Sequence, residues 1–289
     1  METAGPAADG PALLAYRGRG TPCSAAAGAS FAANCSPPET GSQCMARYDF
    51  RTPRLFLDQP LAPGASVSLD AAQTHYLVHV LRQKPGDAVL VFNGRDGEWR
   101  ARLDRPSNRA AVTVETQARA QTMAADLHYL FAPLKRARLD YMVQKAVEMG
   151  AARLQPVLTR HTQAERVNAA RMRANAIEAA EQCGILNLPE VCAPLALDQA
   201  LAAIEPTRLL VFCDEEAPGA DPVAALARAG GGPLAVLIGP EGGFAEEERA
   251  MALRRARVVR LALGPRILRA DTAAVAALAL VQAVLGDWR

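Results

Sequence analysis

The sequence predicts an α/β protein in two folded parts, a small β-barrel domain followed by a parallel sheet covered by helices. Three observations carry this. From about Asp126 onward, short continuous apolar runs alternate with helical patterns, the grammar of a parallel sheet buried on both faces. Residues 53–122 instead carry short alternating runs broken by turn residues, which suits a small barrel. Residues 1–50 hold Ala, Gly, Ser, Pro and Thr with no sustained period and read as a disordered, low-complexity leader. The expected divisions are therefore a leader at 1–50, a barrel at 53–122 and a sheet domain at 125–289. Met45 stands just ahead of the first folded-looking sequence, so it is a candidate start, with residues 1–44 then an untranslated extension of the reading frame.

In the barrel region, Arg54–Leu57 starts a strand and Ser66–Leu69 alternates. Asp70–Leu81 has helical spacing, with Asp70 able to cap it and Leu77, Val80 and Leu81 on one side. Asp87–Phe92 is a buried strand entered through Pro85-Gly86. Asn93-Gly94 and Asp96-Gly97 are hairpin-type turns, and Glu98–Leu103 and Ala111–Glu115 alternate again. In the second region Leu127–Phe131 is a strand, and Arg138–Met149 a helix closed by Gly150. Leu154–Leu158, Arg208–Phe212, Leu234–Ile238 and Val258–Leu263 are further strands. Ala164–Cys183, Asp221–Arg228, Glu246–Arg255 and Asp271–Leu285 are the helices between and after them.

Half of the residues are apolar and 21% are charged, enough for a core and too few charges for a wholly disordered chain. A net charge of +2 excludes a polybasic tail but hides a segregation. Residues 135–173 carry nine basic side chains against three acidic ones, whereas ten basic face thirteen acidic from 183 to the C-terminus. The six cysteines show no CxxC spacing, which disfavours zinc and a disulfide framework and suits reduced thiols in the cytoplasm. The longest apolar stretch, Ala273–Leu285, is too short to span a bilayer, and no secretory signal pattern opens the chain, so neither metal nor membrane is expected.

Fingerprints for dinucleotide binding, P-loop nucleotide hydrolysis, zinc proteolysis and serine hydrolysis are all absent. The informative run is Leu234-Ala-Val-Leu-Ile-Gly-Pro-Glu-Gly-Gly-Phe244: an apolar strand, a loop with three glycines, then a helix opened by Glu246, Glu247 and Glu248. Glycines permit positive φ and close approach of a ligand, and open α/β folds bind ligands at the carboxyl ends of their strands. The acidic helix start argues against a phosphate seated on it. A second run, from Val258 through Leu263-Gly264, Arg266 and Arg269 to Asp271-Thr272-Ala273, repeats the pattern. Two such loops suit a pocket for a small, largely neutral ligand held by backbone groups and apolar contacts.

Together these runs resemble the SPOUT class of RNA methyltransferases and, more narrowly, the ribosomal RNA small subunit methyltransferase E family. The resemblance extends in order through Arg54-Leu-Phe, His79-Val-Leu-Arg82, Lys145-Ala-Val-Glu-Met-Gly150, Pro156, Arg160, Glu178-Ala-Ala-Glu-Gln182 and Gly286-Asp287, covering about residues 53–289. It implies a PUA-like RNA-binding barrel, then a methyltransferase domain tied in a trefoil knot. It also implies S-adenosylmethionine bound in the knot, a homodimer, and methylation of N3 of a uridine in the decoding region of 16S rRNA on the small ribosomal subunit. Carried onto this sequence, the cofactor residues are Phe212, Ile238, Gly239, Pro240, Glu241, Gly242, Gly243, Leu263, Gly264, Ile267, Leu268, Arg269 and Thr272. RNA contacts fall on Arg54, His79, Arg82, Lys135, Arg136, Lys145, Arg160 and Gln182. The sequence departs from the family's pattern at Asp271, where Glu is common, at Cys183, where an arginine often lies nearby, and at Ala245, where Ser or Thr often caps the helix.

N3 of uridine is weakly acidic and becomes nucleophilic once its proton leaves, so the protein must align the reactants and stabilise a developing anion. Arginine suits that task because it stays charged and donates in a planar fork. Arg54 and Arg269 are the catalytic candidates, with Arg160 behind them; the base is open between solvent and a carboxylate such as Glu241. Lys135, Arg136 and Arg138 suit phosphates, and His75 and His79, one turn apart, suit packing or an RNA-facing role. Gly242→Val is expected to abolish cofactor binding. The alternatives are an RNA-binding ribosome assembly factor without catalysis, or a related methyltransferase acting on tRNA or 23S rRNA; cofactor binding separates the first of these.

Overall fold

The computed structural model describes residues 51–104, 109–163, 166–219 and 221–288. The expected leader, its three cysteines and the candidate start Met45 lie outside the described residues.

The first sheet has five strands in the order β1-β3-β4-β5-β2, from β1 (Arg54–Phe56), β2 (Ser66–Ser68), β3 (Ala88–Phe92), β4 (Glu98–Asp104) and β5 (Ala111–Arg119). Only β1 and β3 pair in parallel; the other pairs are antiparallel. The period-2 alternation of β1 and β3 divides two cores. Leu55, Leu57, Val89 and Val91 turn into the barrel with Val67, Leu69, Leu77, Leu103 and Val112. Phe56 and Phe92, on the opposite face, pack edge-on at 5.7 Å and belong to the core of the second domain.

Helix α1 (Ala71–His75) opens with a capping box, Asp70 Oδ1 accepting from the Gln73 N–H at 2.7 Å and Gln73 Oε1 from the Asp70 N–H at 3.0 Å. The expected continuous helix to Leu81 does not persist: Tyr76–Val80 widens into a π-turn, in which the Leu81 N–H reaches the Tyr76 carbonyl. The extra residue rotates the apolar stripe, so Leu77 is buried while Val80 is 56% exposed. The two expected hairpin turns form one connection, residues 93–97, built around buried Asn93. Its side-chain oxygen accepts from the N–H groups of Arg95 and Asp96, and its amide donates to Gln59 O and Asp96 Oδ2.

The second sheet runs β12-β10-β11-β6-β7-β8, all parallel, with β9 pairing β7 off that path, farther along β7 than β8 does. Its strands are β6 (Leu127–Phe131), β7 (Arg153–Leu158), β8 (Glu190–Val191), β9 (Leu195–Ala196), β10 (Leu209–Cys213), β11 (Leu234–Ile238) and β12 (Val258–Leu261). Helices α2 (Arg136–Glu148), α3 (Ala169–Cys183), α5 (Pro222–Ala229) and α7 (Ala270–Val284) bury one face against Tyr129, Phe131, Val211 and Val236. Helices α4 (Leu197–Ala202) and α6 (Glu246–Leu253) cover the other, against Leu130, Leu210, Phe212 and Leu237. This is the doubly covered α/β sheet expected from the continuous apolar strands.

Two differences have physical causes. Helix α3 begins at Ala169 rather than Ala164, because the Asn168 side chain accepts from the Arg171 N–H and caps the helix there. The pieces β8, β9 and α4, two to six residues each, were not expected, being too short to show a hydrophobic period. Among the described residues no helix is long and apolar enough to cross a membrane, and no cluster of side chains could hold a metal ion.

Candidate active site

Because β10 lies between β11 and β12, the loops leaving the carboxyl ends of these three strands meet. Residues 213–215, 238–241, 243–244 and 261–268, with Ala270 and Ala273 of α7, line a cavity of about 200 Å³. That is below the ~300–1,000 Å³ typical of pockets that enclose a ligand, so a larger guest would remain partly exposed. Ile238, Phe244, Leu261, Leu263, Ile267 and Leu268 make its walls apolar, and Glu215, Glu241 and Arg266 add charge.

Two of the loop's three glycines are required, one by close approach and one by its backbone conformation. A Cβ on Gly239 would stand 2.5 Å from the Phe244 ring, itself packed edge-on against Phe212 at 5.0 Å. Gly243 has φ +69°, and a Cβ there would collide with the Glu215 carboxylate. Gly242 is different: it is exposed, has no positive φ, and its Cβ would face the His161 side chain at 3.3 Å, away from the cavity wall. Within the wall, buried Asp214 takes the Arg249 Nε–H at 3.2 Å and the Arg260 guanidinium at 2.6 Å. Burial, and then the Asp214 charge, pushes the Cys213 thiol up to about 12, so this cavity cysteine stays a thiol at neutral pH.

A larger groove of about 740 Å³ adjoins the cavity, sharing Pro240 and Glu241 with it. Pro133–Arg138 at the start of α2, His161, Gln163 and Arg166 complete its walls. Lys135, Arg136 and Arg166 are exposed there, and α2 begins with no side-chain cap, leaving its first N–H groups to the groove. Arg138 differs from these three: its guanidinium bonds the Glu241 carboxylate and lies 3.9 Å from that of Asp271.

Of the expected cofactor residues, Ile238, Gly239, Pro240, Glu241, Gly243, Leu263, Gly264, Ile267 and Leu268 line the cavity. Phe212, Gly242, Arg269 and Thr272 do not. Phe212 is wholly buried beneath Phe244, Arg269 is the exposed residue preceding α7, and Thr272 faces solvent on its first turn. Lys135 and Arg136 line the groove; His79, Arg82, Lys145, Arg160 and Gln182 line neither space. His79 is exposed and stands 5.3 Å from His75, and Arg82 is exposed at φ +55°. Lys145 bonds Glu148 at 2.7 Å, Arg160 turns its guanidinium toward Glu247, and Gln182 is exposed near the end of α3.

Arg54 needs a correction, both as a catalytic and as an RNA-contacting residue. It is 6% exposed, its Nε donates to Glu98 at 2.6 Å, and its other nitrogens donate to the carbonyls of Ala180, Glu181 and Ile185 around the end of α3. Glu98 also takes Arg119 at 2.7 Å. A guanidinium so enclosed joins the barrel to the sheet domain and has no surface to offer a substrate. At the same junction Glu181 accepts the Phe56 N–H at 2.8 Å. Burial, reinforced by Glu178, raises its carboxyl to about 7 against the opposing pull of that hydrogen bond and of Arg54.

Sequence reasoning passed over Cys213, Asp214 and Glu215. The signal available was an acidic run directly after a buried strand, which marks a loop at a strand's carboxyl end. The tie from Arg138 to Glu241 spans 103 residues of chain and leaves no local signal.

An RNA methyltransferase domain model matches residues 121–282, and an RNA methyltransferase PUA domain model matches residues 69–115. The chain is 32% identical to a ribosomal RNA small subunit methyltransferase E of Synechocystis over 76% of this chain and 74% of that one. It is 28% identical to the protein of the same name from Rickettsia conorii, over 79% of this chain and 94% of that one. Among solved structures, the Neisseria gonorrhoeae ribosomal RNA small subunit methyltransferase E bound to S-adenosyl methionine superposes with a TM-score of 0.73 at 27% identity, covering 82% of this chain and all of the other.

Proposed function

Since the chain belongs to the ribosomal RNA small subunit methyltransferase E family, we propose that it methylates N3 of a uridine in the decoding region of 16S rRNA, with S-adenosylmethionine as methyl donor. The observation that carries this reading is the junction of two spaces at Pro240 and Glu241, an apolar cavity of three strand-end loops beside a basic groove.

The cavity fits the cofactor in kind. Gly239 and Gly243 let backbone approach closely, aliphatic side chains offer faces to an adenine, and Glu215 offers a carboxylate to hydroxyl or ammonium groups. Bound there, the cofactor would supply a sulfonium-activated methyl group, a chemistry that needs no metal. The chain's own part is to bind, orient and shield. Lys135, Arg136 and Arg166, with the free N–H groups at the start of α2, suit backbone phosphates, which fix the RNA's register without reading its bases. Arg269, exposed at the head of α7 between wall residues Leu268 and Ala270, is our candidate cation for a uridine whose N3 has lost its proton, with Arg266 of the cavity wall beside it in the same loop.

The same reading makes the protein cytoplasmic and its substrate the assembled small subunit. It makes the chain path through the last strands a trefoil knot, and the active form a homodimer, which would give cover to Ile267, 95% exposed on the cavity rim. The experiment is primer extension on 16S rRNA, because methylation at N3 blocks base pairing and halts the polymerase. Cells lacking the gene should read through one uridine in the decoding region, and the purified protein with S-adenosylmethionine should restore the stop on their small subunits. An unchanged primer-extension pattern would sink the assignment.

A further inference from the structure

Arg138 is set apart from the basic residues around it by what it already holds. Lys135, Arg136 and Arg166 have no ion-pair or hydrogen-bonded side-chain partner among the described residues, as suits groups waiting for phosphate. Arg138 instead grips Glu241, in the loop after β11, and lies within ion-pair distance of Asp271, in the first turn of α7. These carboxylates belong to separate walls of the cavity: Glu241 lines it directly, and Asp271 sits between Ala270 and, two residues on, Ala273. The guanidinium reaches both from α2, no residue of which lines the cavity, and it forms part of the groove wall.

We infer that Arg138 is a positioning residue that ties the β11 loop to the head of α7 and so sets the shape of the cofactor cavity from the groove side. The inference rests on the functional reading above, and it gives Arg138 a task different from phosphate contact. The β11 loop is held beneath by Phe244 on Phe212 and at its side by His161 Nδ1, 3.2 Å from the Gly243 carbonyl, but neither contact reaches α7. Gly243 N–H to Pro240 O closes a turn in that loop, and Gly264, at φ +95°, bends the loop before α7 with nothing within 4 Å of its Cβ position. The guanidinium bonds Glu241 and stands at ion-pair distance, 3.9 Å, from Asp271, and a planar fork sets the separation of two such carboxylates better than a single ammonium does. At 36% exposure the tie is only partly desolvated, so its effect should be moderate and sensitive to salt.

The test is a double-mutant cycle read in calorimetric affinity for S-adenosylmethionine, with no RNA present. Arg138→Ala and Glu241→Gln should each weaken binding by about 5- to 10-fold, and the double variant should be no worse than the weaker single. Arg138→Lys should recover part of the affinity, and high salt should shrink the wild-type advantage. Melting temperatures of all variants should stay close together, since a general loss of fold would lower them in step with affinity. Additive losses, or unchanged cofactor affinity in Arg138→Ala together with a raised KM for small subunits, would overturn the tie and make Arg138 a phosphate contact. A wild-type protein that does not bind S-adenosylmethionine overturns this inference and the functional reading together. One that binds it with a coupled cycle, yet leaves 16S rRNA unmodified, overturns the choice of substrate and leaves the tie standing.

Discussion

Arg54 and Arg138 each join two carboxyl- or carbonyl-bearing segments that are far apart in sequence, and they do it in opposite surroundings. At the junction of barrel and sheet domain, Arg54 is shut away from water, paired with an equally buried Glu98 and capped by carbonyls at the end of α3. At the cavity mouth, Arg138 is one-third exposed and its partners Glu241 and Asp271 are still within reach of solvent. The difference teaches where rigidity is placed. A buried, fully donated guanidinium cannot let go without stranding charge, so it fixes how the barrel is mounted. A wet ion pair can adjust, which is what loops that must admit a ligand require.

The most severe test of this contrast is Arg54→Ala. Removing one member of the buried Arg54–Glu98–Arg119 group should cost about 3–5 kcal/mol, read as a lower denaturation midpoint with little recovery in Arg54→Lys. If the variant kept its stability and lost methyl transfer, Arg54 would belong to the site after all. Next comes Gly243→Ala, which puts a Cβ at φ +69° into the space of the Glu215 carboxylate. A loss of cofactor affinity of about 30-fold, near 2 kcal/mol, is expected, with Gly242→Ala close to wild type. The reverse order of the two glycines would refute the cavity wall as described.

The smallest effect is at Glu181. Its carboxyl titrates near 7 in the folded chain and at about 4.5 when unfolded. Between these values the folded state keeps a proton that the unfolded state has lost, so stability falls as pH rises through that window and levels off above it. Glu181→Gln can still accept the Phe56 N–H; it should flatten the slope and be about 1–2 kcal/mol more stable than wild type at pH 8. A melting-temperature profile in which wild type and variant run parallel from pH 5 to 8 would show that the junction's charge is tuned differently.

Most of the architecture was legible because its signals are local. Continuous runs such as Leu234–Ile238 announce buried parallel strands, Asp70 and Asp221 announce caps, and Gly150 announces a helix end. The glycine loop that walls the cavity was legible too, through glycines clustered after a strand. What escaped depends on partners distant along the chain. That Gly243 and not Gly242 is the glycine held at positive φ follows from how the whole loop turns over Phe244 and toward Glu215, 28 positions away. Arg54 resembled a catalytic cation because its motif matched, but its burial is created by α3, more than 120 residues later. The π-turn at Tyr76–Val80 was hidden since a one-residue insertion leaves helical composition unchanged.

The strand order β12-β10-β11-β6-β7-β8 also bears on how the chain is made. As it leaves the ribosome, β6, β7 and β8 can pair in order of synthesis, but β10 emerges with no neighbour to join. It must wait until β11 is available to slot between it and β6, and β12 and α7 arrive later still. The loops that build the cavity are therefore the last part of the sheet domain to be completed. A nascent chain ending between β9 and β10, after residue 196 and before residue 209, would carry the barrel strands and only part of the sheet, with none of the three strand-end loops that line the cavity.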